Sequence, residues 1–226
     1  MIQKRKILSI SGIIAPILFA SFVWIGGEMN TDYNFLSETI SALNQREAPN
    51  KNFLDWGFAL SYICMALFGF GLYRSGRRAS DKYRRLIGIL LMIAGVMCFL
   101  MIVLFPADAT YSDISFAGMM HHIIAVLMAM MAMSMILFWE LEFKHDKGFK
   151  VYSIVSITLI FLAALATWAS NIMFWPLQGL FERISIGTFL QWMIVISIKE
   201  LKESFGTSGR ITAVREGFTE NVKNIQ

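Results

Sequence analysis

Long apolar blocks separated by short polar joints run the length of the chain, and within each block the apolar residues fill every face instead of recurring at period 2 or 3.6. A helix needs about 20 such residues to cross about 30 Å of hydrocarbon. The blocks Ile7–Gly27, Leu54–Tyr73, Leu86–Phe105, Gly118–Trp139, Val151–Asn171 and Gly179–Ile198 each meet that length. The pattern therefore predicts an all-α, polytopic membrane protein: one six-helix bundle over residues 1–200, followed by a polar tail over 201–226. No internal repeat or low-complexity tract interrupts it.

One joint is long enough to carry structure of its own. Between Glu28 and Phe53, Leu36, Ile40 and Leu43 recur at helical spacing, while Ser37, Glu38, Ser41 and Gln45 form the opposite stripe. Asp32 or Asn34 is available as an N-cap and Pro49 lies beyond the end, which predicts a short amphipathic helix at the membrane surface.

Composition agrees with this reading: 56% of the residues are hydrophobic and 16% are charged. Basic residues then orient the bundle. All Lys and Arg except Arg46, Lys51 and Arg183 fall in the N-terminal segment, the second and fourth joints, and the C-terminal tail. An excess of Lys and Arg marks the cytoplasmic side, so both termini are expected there and the Glu28–Phe53 loop outside. The net charge of +4 then reflects a basic rim facing anionic lipid and implies no nucleic-acid partner. "MIQKRK" looks like the start of a signal peptide, but the apolar run after it is long and no A-x-A-like site follows, so an uncleaved first helix is expected. Cys64 and Cys98 fall inside different spans, which supports neither a disulfide framework nor a cysteine metal site.

Few polar residues remain to carry chemistry. Glu182 and Arg183 enter the sixth span about one turn from its outer end, where an ionisable side chain must be paired or reach the interface. They could snorkel together, or Arg183 could meet Asp108, Glu38 or an anionic head group. His121 and His122 are adjacent, hence about 100° apart on a helix, and cannot share one metal from one face. His122 lies on the small-residue stripe of Gly118, Ala125, Ala129 and Ala132, which slightly favours it as the interior histidine. The methionines around this pair spread over the whole helix and do not converge as a copper site would require, and a zinc site would have to combine one histidine with carboxylates such as Asp108, Glu38 or Glu182. No metal and no cofactor is expected. Ser37 or Ser41, a histidine and Asp108 could compose a hydrolytic triad, although neither serine sits in a nucleophile-elbow pattern. Gln191 and Asn171 are expected to make interhelical hydrogen bonds, and Trp24, Trp56, Trp168, Trp175 and Tyr33 to form an aromatic belt.

Three segments together resemble the family of prokaryotic six-span membrane proteins known as domain of unknown function 998. They are "YNFLSETISAL" in the first loop, "FPAD" with Gly118, His121 and Ala125 at the third outer junction, and "GLFERISI" opening the last span. The resemblance covers nearly the whole chain. It implies a six-span bundle and points to Tyr33, Ser37, Ser41, Pro106, Asp108, His121, Glu182 and Arg183, so that it favours His121 over His122. The chain departs from the family pattern at Ala42 and Asn44, where an acidic residue and a glycine are expected.

All of these residues map to one side of the bilayer. The resulting expectation is an outward-facing vestibule that binds a lipid or other amphiphile, with the loop helix as lid, Asp108 and a histidine on one wall, and Glu182 and Arg183 on the other. An intramembrane lipid hydrolase using His121 and Asp108 is the alternative, and a small transporter or accessory subunit ranks below it, because the midplane offers little beyond Gln191. The sequence leaves the oligomeric state open.

Overall fold

In a computed structural model of the chain, residues 2–108, 114–142, 147–173 and 175–223 are described, with side chains left aside at 2–5, 142, 171 and 206–223. Six α-helices account for nearly all of it: α1 (Ile2–Glu28), α2 (Lys51–Ala79), α3 (Lys82–Leu104), α4 (Phe116–Glu142), α5 (Lys147–Ile172) and α6 (Gln178–Lys223). Each contains a stretch long and apolar enough to cross a membrane, from Lys6–Glu28 in α1 to Gln178–Phe205 in α6. The chain is a multi-pass membrane protein built as a six-helix bundle, and the backbone of α6 stays helical into the segment read as a polar tail. Each helix packs against its neighbours in sequence, and α6 closes the ring against α1. One end of the bundle, the loop end, carries the 29–50 connection; the other is the basic end.

The tightest pair is α2 with α3. Hydrophobic burial does not drive helices together in lipid, so close approach depends on small residues and van der Waals contact. Gly69, Gly88 and Gly95 provide it: a Cβ on Gly88 would stand 2.5 Å from the Tyr73 amide nitrogen and 2.6 Å from the Gly69 carbonyl. The turn between the two helices is equally tight. Ser80 takes the left-handed conformation (φ 56°), the Asp81 N–H returns to the Gly76 carbonyl at 2.9 Å, and the Asp81 side chain caps α3 by accepting from the Arg84 N–H at 2.9 Å.

Beside that turn lies a buried charge cluster. Arg84 of α3 pairs with Glu200 (2.9 Å) and Glu203 (3.0 Å) of α6, reaches Ser75 of α2 at 3.3 Å, and stacks on Trp139 of α4. Four helices are thus tied at the basic end by a single guanidinium. Above it sits the larger apolar core, with Leu72, Ile87, Leu91, Met135, Trp139, Ile160 and Trp192 at its centre. A second core at the loop end gathers Phe19 and Val23 of α1, Leu54 and Phe58 of α2, Ile102 of α3, and Tyr33, Ile40 and Leu43 of the loop.

Within the loop the helical segment is a five-residue 3-10 helix, Ile40–Asn44. The expected stripe begins earlier, at Leu36, but residues 35–37 form a turn and Leu36 is 53% exposed. Asn34 acts locally: its side chain accepts from the Leu36 N–H at 2.9 Å, and its carbonyl from the Glu38 N–H at 2.8 Å. Trp24, Trp56, Trp168 and Trp175 are exposed, as an interfacial belt requires, whereas Tyr33 is buried beneath the loop and does not join it.

Adding a side chain at the α2–α3 contact tests the packing account. Gly88→Leu should destabilise the bundle by about 1–3 kcal/mol, the usual range for an overpacked contact, seen as a lower thermal unfolding midpoint in detergent. Leu at the exposed Gly187, where an added Cβ meets nothing, should leave the midpoint unchanged.

Candidate functional site

The loop end is assembled around the first turns of α6. Backbone polar groups near hydrocarbon must be paired, and a loop of turns leaves many carbonyls without a helical partner. Arg183 takes two of them. One of its terminal nitrogens donates to the loop carbonyls of Phe35 (2.8 Å) and Glu38 (2.8 Å), and is shared with the carbonyl of Gly179 in α6 itself (2.9 Å); the other donates to the Tyr33 hydroxyl. The guanidinium also lies over the rings of Tyr33 (5.5 Å) and Phe35 (5.2 Å). Next to it, the Glu182 carboxylate accepts the Ile40 N–H, filling an orphan donor at the start of the 3-10 helix. The Leu180 N–H donates to the Leu36 carbonyl at 3.0 Å, and Gly179 leaves room for the Glu38 carbonyl, which a Cβ would displace.

Tyr33 completes this clasp. Its hydroxyl donates to the Thr39 carbonyl at 2.8 Å while accepting from Arg183. Burial pushes the phenol up to about 12, and the nearby Arg183 charge only partly offsets that rise. At its far end the loop is held by Asn44, which donates to Asp55 at 3.4 Å; Asp55 in turn pairs with Lys51.

Opposite the loop, Asp108 organises the entry to α4. One carboxylate oxygen accepts the Ser115 N–H and the other accepts the Ser115 hydroxyl, both at 2.8 Å, while the Ser115 oxygen accepts the Gly118 N–H at 3.1 Å. These donors hold the Asp108 carboxyl below the usual aspartate range, helped by the charges of Arg46 and His122. Gly118 leaves the space that the Asp108 carboxylate fills. One helical turn on, His121 is buried and donates its Nδ1–H to the Phe105 carbonyl at 2.9 Å, because a carbonyl can only accept. His122 points away, its ring 6.0 Å from that of His121 and exposed.

Between the loop and α4 lies a cleft of about 280 Å³. The loop contributes Ser37, Glu38, Thr39, Ser41 and Gln45; the facing wall is Ala107, Asp108, Ile114 and His122, with Asn30, Asp32 and Gln178 at the margins. The structure therefore divides the sequence-predicted residues. Ser37, Glu38, Ser41, Asp108 and His122 share the cleft, whereas Tyr33, His121, Glu182 and Arg183 stand behind its walls and hold them in place. Gln45, a member of the polar stripe, and Asp32, an N-cap candidate by sequence, line the cleft as well; Gln178 also lines it, and its only sequence signal is its position at the start of α6.

The expected chemistry is distributed differently from the arrangement. Arg183 meets backbone carbonyls and a phenol instead of the carboxylates of Asp108 or Glu38. His121 donates through Nδ1 to the Phe105 carbonyl, while the Asp108 oxygens accept from the Ser115 N–H and hydroxyl. Among the described residues, no three His, Cys, Asp or Glu side chains converge as metal ligands. Asn171 falls outside the described side chains. Gln191 accepts from the Tyr152 hydroxyl at 2.9 Å, joining α6 to α5 as an interhelical hydrogen bond.

The Tyr33 clasp has a defined pH dependence. Its phenol is raised from 10.0 to about 12, so the folded loop holds the proton more tightly than a free chain does. That contribution is complete below pH 10 and lost as the pH rises from 10 to 12. Proteolytic cleavage within the loop should accelerate across that window in the native protein. In Tyr33→Phe this step should be absent.

No curated protein and no solved structure matches the chain. The family model described as "Protein of unknown function (DUF998)" matches residues 13–199, most of the chain, from within the first span to within the sixth, and so includes the clasp, the capped entry to α4 and the cleft between them. The chain belongs to that family.

Proposed function

We propose that the chain works in the cell membrane with both termini in the cytoplasm, and that its loop-end cleft binds the head group of a lipid or other amphiphile from the outside. The distribution of Lys and Arg supports the orientation: the basic end carries all of them but Arg46, Lys51 and Arg183. The observation that carries the binding reading is the cleft, a polar cavity of about 280 Å³ placed where membrane-spanning helices meet their surface loop. Such a position presents hydrogen-bonding groups to water and leaflet at once, which suits a molecule with a polar head and an apolar tail.

The lining narrows the head group. Asp32, Glu38 and Asp108 supply carboxylates and Ser37, Thr39 and Ser41 hydroxyls; among the described lining residues there is no Lys or Arg, and the nearby Arg46 acts on Asp108 from outside the lining. Arg183, the guanidinium at the start of α6, is turned toward loop carbonyls. An anionic phosphate without a compensating group would meet repulsion there. A hydroxyl- or amine-bearing head group would find acceptors on every wall.

Two measurements test this reading. Ser37→Cys should react with a membrane-impermeant maleimide added to intact cells; reaction only after the membrane is opened would place the cleft on the cytoplasmic side. Native mass spectrometry of protein taken from phosphatidylethanolamine vesicles should show one retained lipid. That lipid should be lost in a Glu38→Gln, Asp32→Asn double variant whose thermal midpoint is unchanged. Equal, empty spectra for both proteins would defeat the binding reading.

A further inference from the structure

Near the middle of the sixth span a polar side chain faces outward. That span runs Gln178–Phe205, so Gln191 lies about 20 Å along the helix from either end. Gln191 is exposed, and its Oε1 accepts from the Tyr152 hydroxyl at 2.9 Å. A single hydroxyl engages only one end of the amide. Among the described residues nothing accepts from the other end, the Nε2 with its two N–H groups. Hydrocarbon offers no acceptor at that depth, and the lipid head groups lie near the interfaces. An amide half-satisfied there calls for a partner that carries an acceptor into the membrane.

The residues around Gln191 form a seam along α6. Ile184, Gly187, Gln191, Ile194 and Ile198 are spaced alternately three and four apart, the repeat by which one helix packs along another. Ile184 and Ile198 are 37% and 39% exposed, Gly187 and Gln191 are exposed and Ile194 is half-buried, so the rest of the protomer leaves the seam open. One turn from Gln191, a Cβ added to Gly187 meets nothing, and the bare backbone there permits close approach. Thr188, beside the seam, is already served: its hydroxyl donates to the Ile184 carbonyl at 2.7 Å. Gln191 is the one polar member of the seam.

We infer that this seam is the interface between two copies of the chain, paired through α6 with Gln191 against Gln191. The occupant follows from the amide. It carries donors and an acceptor together, so an identical surface completes it: the Nε2 of each copy donates to the Oε1 of the other, which has a second lone pair beyond the one Tyr152 uses. Copies inserted in the same direction are related by a two-fold axis along the bilayer normal, which sets the two α6 helices parallel and brings each seam residue opposite itself. A single polar residue at a seam position also fixes the register, because a slip of one turn strands both amides in hydrocarbon. A lipid tail covers the isoleucines as well as a helix does but gives the amide nothing. The pairing is independent of what the cleft binds.

Sedimentation equilibrium in density-matched detergent micelles reads the association. Wild type is expected to form a reversible dimer. Gln191→Leu should weaken it roughly tenfold, and Gly187→Leu, whose side chain clashes with nothing inside one protomer, should weaken it comparably. Tyr152→Phe removes the bond within the protomer and keeps the amide, so it should dimerise like wild type. In vesicles, Ile184→Cys should be linked into dimers by a short bis-maleimide above the background from native Cys64, while Ile93→Cys, on the exposed face of α3, should stay at that background. A monomeric wild type would overturn the proposal, whether lipid or the helix of another protein covers the seam. A dimer unaffected by Gln191→Leu and Gly187→Leu would also overturn it, since the copies would then meet through another face. Equal loss in Tyr152→Phe and Gln191→Leu, with Gly187→Leu unchanged, would show that the amide serves only its own protomer and would overturn it as well.

Discussion

A single guanidinium holds the loop end of this protein together. The 29–50 connection packs its apolar residues onto the ends of α1 and α2, and doing so takes its carbonyls away from water. Each such group left unpaired costs about 1–3 kcal/mol, so a loop made of turns can sit there only if donors are brought to it. Arg183 brings them in a planar guanidinium, one terminal nitrogen donating to the Phe35 and Glu38 carbonyls and the other to the Tyr33 hydroxyl, and its face rests on Tyr33 and Phe35. Lysine would offer no such plane. The adjacent Glu182 does the complementary task by accepting the Ile40 N–H. Adjacent residues of opposite charge at the start of α6 thus satisfy opposite ends of the loop's backbone.

The two ends of the bundle use the same kind of device for different purposes. At the basic end Arg84 is enclosed by Glu200, Glu203, Asp81 and Ser75 and stacks on Trp139, so that four helices converge. At the loop end Arg183 gathers a loop, and α4 and α5 are left out of the core that forms beneath it. The cleft owes its polar lining to this arrangement, because the side chains that build its walls are bonded behind it while Ser37, Ser41, Glu38 and His122 remain turned into it.

How much of this was legible beforehand depended on dimension. The six spans follow from the length of apolar runs, which needs no knowledge of neighbours. The loop helix was harder: Leu36, Ile40 and Leu43 carry a helical spacing, but the pull of Arg183 on the Phe35 and Glu38 carbonyls ends the regular path before Ile40. Arg183 and Glu182 were legible as residues requiring partners, yet the partners are backbone atoms, and backbone atoms leave no mark in a sequence. The histidines show the same limit. The small-residue stripe of Ala125, Ala129 and Ala132 suggests that His122 faces inward, but that stripe is covered only at its basic-end half, and it is His121 that is buried against Phe105. The family motif pointed to His121 without giving the reason. The reason is the Phe105 carbonyl at the C-cap of α3.

The central claim is that the loop-end cleft binds the head group of a lipid or other amphiphile. An experimental density map of the protein in lipid nanodiscs tests it most directly. The account predicts a head group among Glu38, Ser41, Asp108 and His122. A cleft holding only water would contradict it.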